Sequence, residues 1–151
     1  MRSTSIAVTF SLTLALLSGC ATAQSNVERA SANNGDALCA QAGGVRQLQA
    51  DLLFGRDIAW GGSVTDAQRE RFIADVVTPR FPDGLTTWDT RGQWRDRATN
   101  QIERESSFVV RIVAPDTRAT LDSLAEIRRA YSEQFHQQSV GLLLTRLCAS
   151  F

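Results

Sequence analysis

The chain reads as an α+β domain of the ferredoxin-like class, a βαββαβ sandwich with a four-stranded antiparallel sheet and two helices on one face. Three observations predict it. Apolar residues recur at strand and helix spacing in the order strand, helix, strand, strand, helix, strand. Right-handed crossovers then put both helices on the same side of the sheet. Cys39 and Cys148 bracket the six elements. In this topology the first and last strands are antiparallel neighbours, so the start of one lies beside the end of the other. A disulfide between the two cysteines is expected at that corner, provided the loops allow a Cα separation of about 4.4–6.8 Å.

The elements follow in order. Val45 to Phe54 alternates, with Leu48, Ala50, Leu52 and Phe54 on one side and Gln47, Gln49, Asp51 and Leu53 on the other; that is a strand. Gly55 to Ser63 is a glycine-rich loop. Thr65 caps a helix, and Gln68 completes a capping-box pattern. The helix runs to about Val77 on a stripe of Phe72, Ile73, Val76 and Val77, and Pro79 stops it. Pro82-Asp83-Gly84 has turn chemistry, and Phe81 is placed to tuck under the sheet. A second strand spans Leu85 to about Arg95, with Gly92 a candidate bulge. A polar turn over 96–100 leads into a third strand, Ile102 to Val113, which Pro115 and Asp116 break. A second helix begins near Thr117 or Thr120 and runs to about Phe135, with Leu121, Leu124, Ile127, Tyr131 and Phe135 at helical spacing. Ser139 to Leu147 is the last strand.

The N-terminus bears on compartment. One arginine, an apolar run from Ile6 to Leu17 and then Leu17-Ser18-Gly19-Cys20 follow one another. The run is shorter than the roughly 20 residues a permanent span needs. The last four residues resemble a bacterial lipobox, which implies that Cys20 is lipidated and begins the mature chain. Residues 1–19 are then a lipoprotein signal peptide, 20–37 a small, polar tether, and 38–151 one folded domain. Several acyl chains on one cysteine give stable anchoring. The expected location is the bacterial envelope, lipid-anchored in the outer membrane and facing the periplasm. In that compartment a cysteine pair is most often a disulfide.

Composition excludes several functions. The 16 basic and 16 acidic residues balance, which argues against nucleic acid as a partner. There is no lysine, so Schiff-base chemistry is excluded. Two cysteines and one distant histidine lack metal-ligand spacing, and no cofactor fingerprint is present. His136 is the only histidine and follows the second helix in a polar loop; a solvated loop side chain is its default reading. The last strand is apolar on both faces at Leu142, Leu143 and Leu144, and Leu53, Trp88, Val109 and Val113 join the face away from the helices. A solitary monomer keeps that face polar, so a cover is expected: a second copy, making a homodimer, or a ligand.

The stretch VTPRFPDGLTTWDTRGQW holds two of the three prolines and two of the three tryptophans. TPRFPDGLT followed by W-D-x-R-G-Q-W-R-D is similar to the signature of a bacterial family catalogued as domain of unknown function 3574. The preceding L-L-F-G-R, the later I-R-x-A-Y-x-x-x-F-x-Q-x-S-V and the terminal Cys148 and Phe151 resemble it too. The resemblance covers about Asp51 to Phe151 and implies an exported protein or lipoprotein without an assigned activity. A structural joint explains much of the stretch. It does not require Arg80, Asp89, Gln93, Trp94 and Arg95, whose guanidinium, amide and indole groups suit recognition of a small molecule or carboxylate. Trp60 in the glycine loop is a candidate lid. The function expected is an envelope lipoprotein that binds a small ligand or a partner. The alternative is a metal-independent enzyme on a small organic substrate, resembling dimeric ferredoxin-like proteins.

Overall fold

In the computed structural model the described residues are 35–58 and 61–151. The expected signal peptide, the lipidation candidate Cys20, residues 21–34 of the expected tether and the candidate lid Trp60 lie outside them. The unit that carries the sheet is Cys39–Phe151.

Its elements are β1 (Val45–Gly55), α1 (Asp66–Phe72) continuing as a π-helical turn (Ile73–Val77), β2 (Thr86–Arg95), β3 (Ile102–Ala114), α2 (Arg118–Phe135) and β4 (Gly141–Ala149). The strand order is β2-β3-β1-β4, and every pairing is antiparallel. This is the ferredoxin-like βαββαβ arrangement. The capping box forms as the sequence predicts: the Thr65 hydroxyl accepts from Gln68 N–H, and the Gln68 side chain accepts from Thr65 N–H at 2.9 Å. Thr117 caps α2 by accepting from Thr120 N–H.

Alternation along β1 sends Leu48, Ala50, Leu52 and Phe54 into the core, opposite Phe108, Val110 and Ile112 of β3. Rings close the core. Phe54 stacks on Phe108 with centroids 4.8 Å apart and meets Tyr131 edge-on at 4.6 Å, and Phe72 meets Tyr131 at 5.0 Å. Phe81 is buried under the sheet. The Cys39–Cys148 disulfide forms, with Cα atoms 5.6 Å apart. It lies beside the terminal β1–β4 pairs Val45↔Ala149 and Arg46↔Cys148.

Three local expectations are corrected. The first helix ends in a π turn, where Thr78 N–H reaches Ile73 O at 2.8 Å. The wider turn lets Phe72 and Val77, five residues apart, both enter the core. Leu121 is 38% exposed, and Thr120 takes the inward position. It is satisfied there because its hydroxyl donates to Pro115 O at 2.6 Å. Gly92 makes no bulge: the register runs one-to-one from Thr86↔Arg111 to Arg95↔Ile102.

Candidate functional site

β1 stops at Gly55, opposite Ser107, while β2 and β3 run on as a two-stranded arm through Arg95 and Ile102. Polar side chains from four elements gather at that stop. A Cβ at Gly55 would stand 2.5 Å from a Glu105 carboxylate oxygen, so a side chain there would push that carboxylate aside. In that space the Glu105 carboxylate accepts from Asp57 N–H at 3.4 Å, and the Trp94 indole on the same face acts to lower its pKa. Burial raises the Glu105 carboxyl above its ordinary range, and the Asp57 N–H bond opposes the rise. The Tyr131 hydroxyl donates to Gly55 O at 2.8 Å, and burial pushes its ionisation upward. The Gln137 amide donates to Asp57 O at 2.6 Å. Arg56 donates from Nε to Val64 O at 2.7 Å and pairs through Nη2 with Asp66 at 3.0 Å.

Beside this cluster lies an open cavity of about 370 Å³ lined by Arg56, Asp89, Thr90, Arg91, Ser106 and Ser107. Asp89 is held by Arg69, whose guanidinium also stands over the Phe108 ring at 5.8 Å. The Thr90 and Ser107 hydroxyls share a hydrogen bond of 2.8 Å.

The sheet face away from the helices forms a second surface. Register places Leu53, Val109, Val113, Trp88, Leu143 and Leu147 on it. Leu53 is 40%, Trp88 38% and Leu143 59% exposed. At its centre Arg111 pairs with both oxygens of Asp51, each at 2.7 Å, and its guanidinium covers the Trp88 ring at 5.2 Å. Leu142 turns to the core side and packs on it, while Leu144, on the same side, is 45% exposed at the sheet edge.

The residues singled out in the sequence do not meet in one place. Arg80 lies at the opposite end of β2. It donates to Glu126 at 3.2 Å and to Val76 O at 2.7 Å, and it lines a cavity of about 190 Å³ with the Phe81–Gly84 loop and the start of α2. Asp89 lines the larger cavity. Gln93 is exposed on the arm, Trp94 reaches Glu105, and Arg95 bonds to Asn100 at 3.4 Å. Arg56, Arg91, Ser106, Ser107, Glu105, Tyr131 and Gln137 were not assigned chemistry from the sequence. Arg56, Tyr131 and Gln137 stand within the quoted blocks L-L-F-G-R and I-R-x-A-Y-x-x-x-F-x-Q-x-S-V, and that was the available signal. His136 closes α2 in the left-handed region, φ 52°. Among the described residues no group of histidine, cysteine and carboxylate side chains is placed to hold a metal ion, and no helix is long and apolar enough to cross a membrane.

Comparison with known proteins gives one family match, over residues 49–151, to a model described as "Protein of unknown function (DUF3574)". No curated protein matches the chain. A phage SAM lyase solved in complex with S-methyl-5'-thioadenosine is similar in fold: 15% identity, TM-score 0.55, over 68% of this chain and 90% of the lyase. Its apo state gives 16% identity and TM-score 0.50 over 70% and 92%. The periplasmic divalent cation tolerance protein CutA from Archaeoglobus fulgidus gives 8% identity and TM-score 0.44 over 68% and 84%. At these identities the likeness is one of fold.

Proposed function

We propose that this chain, which belongs to the family described as Protein of unknown function (DUF3574), is a lipid-anchored binding module of the bacterial cell envelope that works as a pair of copies joined through their open sheet faces. The observation that carries this is the composition of the uncovered face. Leu53, Trp88 and Leu143 present contiguous apolar surface of the kind that marks a docking site. The charges among them are already matched, because Arg111 and Asp51 neutralise one another. A second copy can cover such a pair without stranding a charge, which is the costly event on burial. The lipobox at Cys20 supports the anchor and the periplasmic setting, and the disulfide is consistent with an oxidising compartment.

Native mass spectrometry of the full chain in detergent tests the pairing. A dimer is expected, and Leu143→Glu should convert it to a monomer with an unchanged circular dichroism spectrum. A wild-type monomer at micromolar concentration, or a dimer indifferent to charges at both Leu143 and Leu53, would refute it. Fatty-acid labelling tests the anchor: a label that survives Cys20→Ser removes it.

A second proposal is an enzyme acting on a small organic substrate without a metal. Glu105 favours it, as a half-buried carboxyl with a raised ionisation beside a cavity. The fold likeness to a SAM lyase names the first compound to try. Incubation with S-adenosylmethionine and chromatography for S-methyl-5'-thioadenosine decides this case, and no release above the buffer rate ends it.

A further inference from the structure

We propose that the cavity beyond the end of β1 is a binding site for a small oxyanion, the carboxylate or phosphate group of a compact polar ligand. The site needs only one copy of the chain, so it stands whether or not the sheet faces pair.

The donors make the case. A guanidinium offers five N–H groups in a planar fork suited to carboxylate and phosphate oxygens. Arg56 spends Nε on Val64 O and Nη2 on Asp66, and among the described residues Nη1 has no partner. Its side chain is only 17% exposed, so its direction is set before any ligand arrives. Arg91 lines the same cavity from β2. Among the described residues its side chain has no hydrogen bond or ion pair, so all of its donors are open. Thr90 and Ser107 are paired on the other face of the ladder, where their hydroxyls bond to each other. Ser106 adds a hydroxyl to the lining.

Three of the nearby acids are occupied, and Asp57 beside them is exposed to solvent. Asp89, the one carboxylate in the lining, is held by Arg69. Asp66 is held by Arg56 at 3.0 Å and approached by Arg69 at 3.8 Å. Glu105 accepts from Asp57 N–H at 3.4 Å. Of the guanidinium groups at the cavity, Arg56 and Arg69 are paired with Asp66 and Asp89, and Arg91 at the rim is not. At about 370 Å³ the space fits a metabolite-sized molecule. The smaller cavity by the Phe81–Gly84 loop lacks this property, because Arg80 is spent on Glu126 and Val76 O.

The test is isothermal titration of the full chain in detergent with inorganic phosphate and, separately, with succinate, at ionic strength held constant with chloride. Saturable binding of at least one probe is expected. Arg91→Gln should weaken it by about 10-fold or more, since a hydrogen bond to a charged group carries that much. Ser106→Ala should weaken it less. Arg118→Gln, at the start of α2, should leave it unchanged. Among the described residues Arg91 makes no hydrogen bond or ion pair that its loss would break, and unchanged thermal melting checks that the fold is intact. Binding of phosphate alone assigns a phosphoryl ligand, and binding of succinate alone a carboxylate ligand. If neither probe binds, or if Arg91→Gln and Arg118→Gln weaken binding alike, there is no site.

Discussion

Cutting the Cys39–Cys148 disulfide perturbs this fold at a point where the size of the effect can be worked out. The bond joins residues 109 apart in sequence. The pairs Val45↔Ala149 and Arg46↔Cys148 already hold the two ends of the sheet together in the native state. The bond therefore acts mainly on the unfolded chain, which it closes into a loop of about 110 residues. Loop closure of that length removes about 16 cal/mol/K, or about 4.8 kcal/mol at 25 °C. Domains of this size have only about 5–15 kcal/mol in total. At about 4 °C per kcal/mol the melting temperature should fall by about 15–20 °C. The assay is urea and thermal unfolding of oxidised protein, reduced protein and the double variant Cys39→Ser, Cys148→Ser. The double variant separates loss of the cross-link from any effect of reductant. The urea slope should also steepen, because the open chain exposes more surface on unfolding. A loss below about 1 kcal/mol would refute the entropic account. Free thiols in protein isolated from a periplasm would refute the bond itself.

Three further outcomes are expected. Tyr131→Phe leaves the half-buried Gly55 carbonyl without this donor and should cost about 1–2 kcal/mol in urea unfolding; a neutral result would mean that water replaces the hydroxyl. Gly44→Ala puts a Cβ 2.6 Å from Cys148 Sγ and 2.9 Å from Ala149 O. Backbone cannot yield as a side chain does, so a loss of about 1–3 kcal/mol is expected, and a neutral variant would show that β4 can shift. Glu105 has its carboxyl raised by burial, so the native state holds its proton to higher pH than the unfolded chain. Stability should therefore fall as pH rises from the ordinary carboxyl range through the folded value. Glu105→Gln should flatten that part of the profile in urea midpoints taken from pH 4 to pH 8, and an unchanged slope would assign it to other groups.

The fold was legible because its signals are local. The alternation of β1, the pair Thr65 and Gln68, and the breaks at Pro79 and Pro115 each act within a few residues. The cysteines supplied the one long-range check. Details set by packing were not legible. The stripe Phe72, Ile73, Val76, Val77 suits an α turn and a π turn equally well, and only the core decides that Phe72 and Val77 both face inward. Thr120 displaced Leu121 because a hydroxyl can be buried where Pro115 O receives it.

The site was less legible, for a geometric reason. Arg80, Asp89, Gln93, Trp94 and Arg95 are close in sequence, and closeness along a strand is not closeness in space. A strand advances about 3.3 Å per residue and turns alternate side chains to opposite faces, so Asp89 and Arg95 are about 20 Å apart along the same strand. Trp94 points to the face of Glu105, whereas Asp89 points to the face of Phe108. The groups that do meet come from far apart in the chain: Tyr131 reaches Gly55 across 76 residues, and Gln137 reaches Asp57 across 80. No spacing rule connects those positions. What connects them is that β1 stops five residues before the β2–β3 ladder does, so the chain after Gly55 leaves the sheet there and Arg56 comes to line one cavity with Arg91 and Ser106.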